Sequence, residues 1–68
     1  MEQDYQDRVR EEKKELDQRI VKLANYLTTV EFMALPGDER KRLRKQGLIM
    51  GKYSEILEDR IIHFPVIQ

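Results

Sequence analysis

The 68-residue chain carries 13 basic and 13 acidic residues, so it has no net charge at neutral pH and no global pull toward nucleic acid or an anionic membrane. It has no cysteine and a single histidine, His63, which excludes a disulfide framework and a Cys-based zinc site. Charged residues make up 38% of the sequence against 7% aromatic; one short domain with so little to bury, and no staple or metal, needs partners, and self-association is the first inference.

From Asp4 onward the apolar positions are Tyr5, Val9, Leu16, Ile20, Leu23, Leu27 and Val30. Val9, Leu16, Leu23 and Val30 recur at a heptad spacing, with Ile20 and Leu27 in the complementary position. This predicts an amphipathic helix over about residues 4–28 with a coiled-coil-like seam, which Lys13 interrupts. Glutamates alternate with lysines and arginines on its outer side, giving pairs such as Glu15–Arg19.

The stretch TTVEFMALP, which opens a turn segment over about residues 29–37, breaks the helix. Two adjacent threonines weaken it, and Thr28 or Thr29 is placed to cap a short turn carrying Phe32, Met33 and Leu35. Pro36-Gly37-Asp38 is turn chemistry and leads into a second helix over about residues 38–63, with Asp38 and Glu39 favourable at its dipole. Leu43, Met50, Leu57 and Phe64 form its heptad row, with Ile61, Tyr53 and Ser54 beside it. Pro65 stops it, leaving residues 64–68 as an extended tail whose Val66 and Ile67 are available to dock on a neighbour. His63 is expected to serve the helix C-terminus. The expected fold is all-α: an antiparallel helical hairpin in one domain, with a single internal seam, assembling into a homo-oligomeric bundle.

Gly47 and Gly51 stand inside the second helix, where each costs about 1 kcal/mol relative to alanine. Helical projection puts them with Ser54 along one edge of the apolar stripe. Close helix packing is the first explanation, a flat ligand on the bare backbone the second, and a helix break the third.

Two features are candidates for binding. Arg40 to Lys45 is the densest basic run; it reads as a solvated helix face or as a phosphate-contacting patch, although it lacks interleaved aromatics. Tyr5, Arg8, Arg19, Lys22 and Tyr26 flank the apolar stripe of the first helix, as Arg42, Gln46, Tyr53 and Arg60 flank that of the second. Aromatics beside cations at a helix seam either form an interface with a charged rim or stack a base and hold a phosphate. No nucleophile motif, phosphate loop or metal-ligand spacing is present, so neither an enzyme nor a cofactor or metal site is expected. There is no transmembrane-length apolar run and no signal-peptide pattern, which predicts a soluble cytosolic chain.

The segments DYQDRVREEKKELDQRIVKLANYL, EFMAL and LRKQGLIMGKYSEILEDRI resemble the phage anti-CBASS cyclic-oligonucleotide sponges and their short crAss-phage-type relatives. The shared pattern is Tyr5 on a charged helix, Phe32 in the turn, then Gln46, Met50, Tyr53 and a closing Leu57-x-x-Arg60-Ile61. The resemblance implies a compact hexamer of hairpins, in the cytoplasm of the infected bacterial host, that sequesters cyclic dinucleotides and trinucleotides without cleaving them. Defence effectors would then go unactivated. It further implies that Tyr5 stacks on a base between helices of different protomers. By the same resemblance Arg19 is the nearer match for the phosphate partner, with Lys22 and Arg8 close by, and Arg60 is the position carried over to a separate trinucleotide site. Tyr53 completes the set of candidate ligand-binding residues. The alternatives are a structural or regulatory helical module that binds a protein through its seam, or a small nucleic-acid binder acting through Arg40 to Lys45.

Overall fold

In the computed structural model, residues 4–65 are described. Helix α1 spans Tyr5–Tyr26, α2 is the single turn Val30–Met33, and α3 spans Gly37–Ile62. Helix α1 begins where the extended Asp4 offers its carboxylate to the amide of Asp7 at 2.9 Å, satisfying one of the orphan donors of the first turn. It ends where the hydroxyls of Thr28 and Thr29 donate back to the carbonyls of Asn25 and Tyr26, each at 2.7 Å. This local bonding competes with continuation of the helix. Thr29 Oγ1 also accepts from the amide of Phe32 at 3.1 Å and so caps α2, which delivers the fully buried Phe32 against the edge of Tyr26.

Helix α3 starts at Gly37, one residue ahead of the sequence expectation, because Pro36 is extended and its carbonyl takes the first helical bond, from the Arg40 amide at 3.0 Å. Asp38 and Glu39 then lie inside the first turn rather than at its edge. At the far end the ring Nδ1 of His63 lies 2.7 Å from the Asp59 carbonyl, the role expected of a C-terminal histidine. The chain then leaves the helix through Phe64 and Pro65; the expected docking of Val66 and Ile67 lies outside the described residues.

The two long helices pack antiparallel along one seam: Val9, Leu16 and Leu57 are buried, with Ile20, Met50, Ile61 and Phe64 packed against them. The heptad rows on both helices are therefore the inner faces. One assigned member is corrected. Val30 is 78% exposed, since α1 has already ended and the turn into α2 changes the phase.

Lys13, which reads as an interruption, is instead bonded into the seam. Its ammonium donates to a carboxylate oxygen of Asp17 at 2.8 Å and to the Ser54 hydroxyl at 3.0 Å, and that hydroxyl donates to the other Asp17 oxygen. The hydrogen bond from Lys13, then that from Ser54, holds the Asp17 carboxyl below its ordinary value, against a smaller opposing effect of burial.

The molecule measures 54 × 21 × 14 Å, with a radius of gyration of 15.9 Å. A compact domain of this length would have one of about 11 Å, so among the described residues the hairpin is a single layer of two long helices with no further layer stacked upon it. Leu48, Ile49, Ile56 and Ile62 of α3 consequently face outward. No helix among the described residues is long and apolar enough to cross a membrane.

Candidate functional site

The register of the hairpin decides which side chains share a face. Gln6 is level with Pro65, its amide 3.5 Å from the proline carbonyl; Asp17 meets Ser54; and Leu23 meets Gly47. Projection of both helices from these pairs gives two broad faces, one on the Ser54 side of the seam and one on the Tyr53 side.

Tyr5, Arg8 and Arg19 of α1 and Tyr53 and Arg60 of α3 project toward the Tyr53 face, together with the exposed Ile49 and Ile56. They form two groups along it. Tyr5, Arg8 and Arg60 lie at the open end of the hairpin, whereas Arg19 and Tyr53 lie near its middle. Tyr5 and Arg19 stand about 21 Å apart along the helix. Both tyrosines keep much of their surface in solvent, 46% for Tyr5 and 42% for Tyr53.

Lys22 is separated from this set. It lies round the back of α1 and lines an open groove on the other side of the helix with Arg10, Lys14, Gln18 and Val21, past the Lys13–Asp17 pair. The sequence reading grouped it with Arg19 because the two are one turn apart, but a turn is not a whole number of residues and the side chains diverge.

Two contacts at the open end escaped the sequence reading. The ring of Phe64 meets Tyr5 edge to face, with centroids 5.5 Å apart, and the guanidinium of Arg10 lies over the same Phe64 ring at 5.2 Å. Phe64 follows α3, so its place over Tyr5 depends on the chain leaving the helix at His63; only its heptad spacing from Leu57 hinted at an inward position.

The glycines also separate. A Cβ on Gly47 would sit 3.4 Å from Leu23 Cδ2, so this is where α1 and α3 approach, as the packing explanation requires. A Cβ on Gly51 would meet nothing within 4 Å, so within the hairpin its close-packing role is corrected. The helix is unbroken at both.

The basic run is dispersed. Arg42 Nε bonds Glu39 at 2.9 Å, Arg44 lies over the Phe32 ring at 5.1 Å, and a Cβ on Gly37 would lie 3.7 Å from the Arg40 guanidinium. Arg42 points away from Arg40 and Arg44, which lie one turn apart on the same side of α3. Among the described residues no group of three or more His, Cys, Asp or Glu side chains is arranged to hold a metal ion.

The model of the family described as Sequestin matches residues 3–63. The chain belongs to the Sequestin family. A similar protein is the "uncharacterized 7.5 kDa protein in denB-rIIB intergenic region" of enterobacteria phage T4, 37% identical over 60 residues that cover 88% of this chain and 94% of the relative. No solved structure matches the chain. The Sequestin match runs from just before the Asp4 cap of α1 to the His63 cap of α3, so the family unit is the whole helical hairpin and not one helix of it.

Proposed function

We propose that the chain is a phage-type sequestering protein that binds cyclic oligonucleotide second messengers between copies of itself and holds them without cleaving them. The family's name and its phage relative support sequestration in general; the nucleotide class rests on the chemistry of the Tyr53 face. One observation carries the reading: exposed tyrosines, guanidinium groups and uncovered isoleucines share that face. A cyclic dinucleotide brings two flat bases and two phosphate charges, which call for aromatic stacking and charge-assisted pairing.

The spacing also argues for more than one copy. Tyr5 and Arg19 of one hairpin are too far apart to grip a single small ligand. A second hairpin running antiparallel would set its Arg19 beside the first one's Tyr5, with Ile49 and Ile56 covered in the same step. The assembly proposed is a hexamer built from such pairs, and the site would work in the cytoplasm of an infected host, without catalysis or cofactor. The basic run from Arg40 to Lys45 is the weaker basis for function, since Arg42 and Arg44 are engaged within the chain, one with Glu39 and the other over Phe32.

Calorimetry with a panel of cyclic dinucleotides and trinucleotides, followed by recovery of intact ligand, tests the reading. Tyr5→Ala should weaken dinucleotide binding by roughly 5- to 150-fold, the equivalent of one lost stack of about 1–3 kcal/mol. Tyr5→Phe should bind as the parent does, and Arg19→Ala should add a salt-dependent loss. Arg60→Ala should spare dinucleotides if the trinucleotide site is separate from the Tyr5 pocket, and weaken them if Arg60, which lies at the same end of the face, belongs to it. Unchanged affinity in both the Tyr5→Ala and Arg19→Ala variants would refute the assignment. Failure of every nucleotide to bind, with the oligomer intact, would favour a helical module that binds protein.

A further inference from the structure

Tyr5 is the first residue of α1, next to the Asp4 cap, and 46% of its surface is open to solvent. A tyrosine at the very end of a helix has no preceding turn to pack on, so its own helix leaves the two side-chain torsions free. A ring that stacks on a flat ligand gives up that freedom, and the cost falls on binding unless the ring is already oriented. Here the orientation comes from the other end of the chain. The Phe64 ring stands almost perpendicular to Tyr5, at 83°, with centroids 5.5 Å apart, an arrangement that aromatic pairs prefer.

Phe64 is itself fixed on several sides. The amides of His63 and Phe64 donate to the carbonyls of Arg60 and Ile61 at 3.3 and 3.2 Å, so the chain leaves α3 along a defined path. The side chain packs against the buried seam together with Ile61. The Arg10 guanidinium lies over the ring, 5.2 Å from its centroid, and is steadied by the Asp7 carboxylate at 3.4 Å. One residue further on, the Pro65 carbonyl lies 3.5 Å from the side-chain amide of Gln6, which is only 7% exposed. A buried glutamine is costly unless its amide is used, and here it ties the segment after α3 to the first turn of α1.

We infer that Phe64 is a positioning residue for the Tyr5 stacking site: it sets the rotamer of the tyrosine in the free hairpin, and Arg10 acts through Phe64, holding that ring rather than pairing with a ligand phosphate. The identity of the ligand rests on the nucleotide reading above; the roles of Phe64 and Arg10 rest on the geometry of the open end. The site then depends on a segment that follows α3 and reaches α1 from the opposite end of the chain. Two guanidinium groups of α1 also differ in kind. Arg19 serves phosphate directly and its effect is screened by salt, whereas Arg10 serves a ring.

The test uses the full chain, with NMR of the free protein and calorimetry against cyclic di-AMP, cyclic di-GMP and cyclic GMP–AMP. Phe64→Leu keeps an apolar side chain on the seam and removes the ring. The Hα–Hβ couplings of Tyr5, which should show one rotamer in the parent, should become averaged, and dinucleotide affinity should fall about 2- to 10-fold. In a Tyr5→Ala background the same change should have no further effect on affinity, an outcome that a general loss of fold would not give. Phe64→Tyr should keep both the single rotamer and the affinity. Arg10→Met should weaken binding less than Phe64→Leu does and leave its salt dependence as in the parent, because no ion pair with the ligand is removed. Parent-like affinity in Phe64→Leu would overturn the inference and leave the sequestration reading standing. A shallower salt dependence in Arg10→Met would make Arg10 a phosphate ligand and overturn its assigned role. Unchanged Tyr5 couplings in Phe64→Leu would overturn the positioning whether or not any nucleotide binds. Couplings that respond as expected in a parent that binds no nucleotide would overturn the sequestration reading, and with it the site that Phe64 serves.

Discussion

Adjacent residues Ile56 and Leu57 point to opposite environments, and their truncation separates the hairpin's own stability from that of the proposed assembly. Leu57 is fully buried, 0% exposed, at the centre of the seam with Val9 and Leu16. Deleting a buried leucine side chain costs about 2–5 kcal/mol, less where the surroundings collapse into the gap. A single-layer hairpin is open on two sides and relaxes readily, so Leu57→Ala should cost near the lower end, about 2–3 kcal/mol. A domain of this length holds only roughly 3–10 kcal/mol in all, and the loss corresponds to a melting temperature lower by roughly 10–20 °C. Ile56, 59% exposed, touches none of that seam, and Ile56→Ala should change hairpin stability by no more than about 0.5 kcal/mol. Its effect should appear instead as dissociation of the proposed oligomer. Thermal melts followed by circular dichroism at several protein concentrations, with sedimentation velocity alongside, distinguish the two. The reasoning fails if Leu57→Ala costs less than about 0.5 kcal/mol, or if the two variants are equally destabilised at concentrations where both are monomeric.

Three further outcomes are expected. The Asp17 carboxyl is held below its ordinary value by the hydrogen bonds from Lys13 and Ser54, so its contribution is fully present above the unfolded carboxylate value and is lost as pH falls through the depressed folded one; urea titrations at descending pH should show this loss, and Lys13→Met should flatten it. Ser54→Ala removes a hydroxyl that both accepts from Lys13 and donates to Asp17, and should cost about 1 kcal/mol at neutral pH by the same titration, since Lys13 and Asp17 keep each other. Gly51→Ala should stabilise the helix by about 1 kcal/mol because nothing lies where the new Cβ goes; a lower melting temperature or a smaller particle would show that another surface packs on that backbone.

The sequence by itself determined the two long helices, the turn between them and the inner row of each. Those depend on local quantities: the heptad spacing of Val9, Leu16 and Leu23 and of Leu43, Met50 and Leu57, the capping chemistry of Asp4 and Thr29, and the backbone restriction at Pro36. It also announced the shortage of core, since its composition cannot enclose a third layer. The tertiary structure alone decided how the two helices are rotated and slid against each other. That register turns Lys13 from a flaw in the seam into the partner of Asp17 and of Ser54, a serine 41 residues away in sequence. It divides Gly47, which faces Leu23, from Gly51, which faces open space. It also lays Phe64 on Tyr5. The physical reason is that periodicity along one helix encodes which side is apolar, whereas the partners of that side are set by packing between segments far apart in the chain. A projection of either helix alone holds no information on that register.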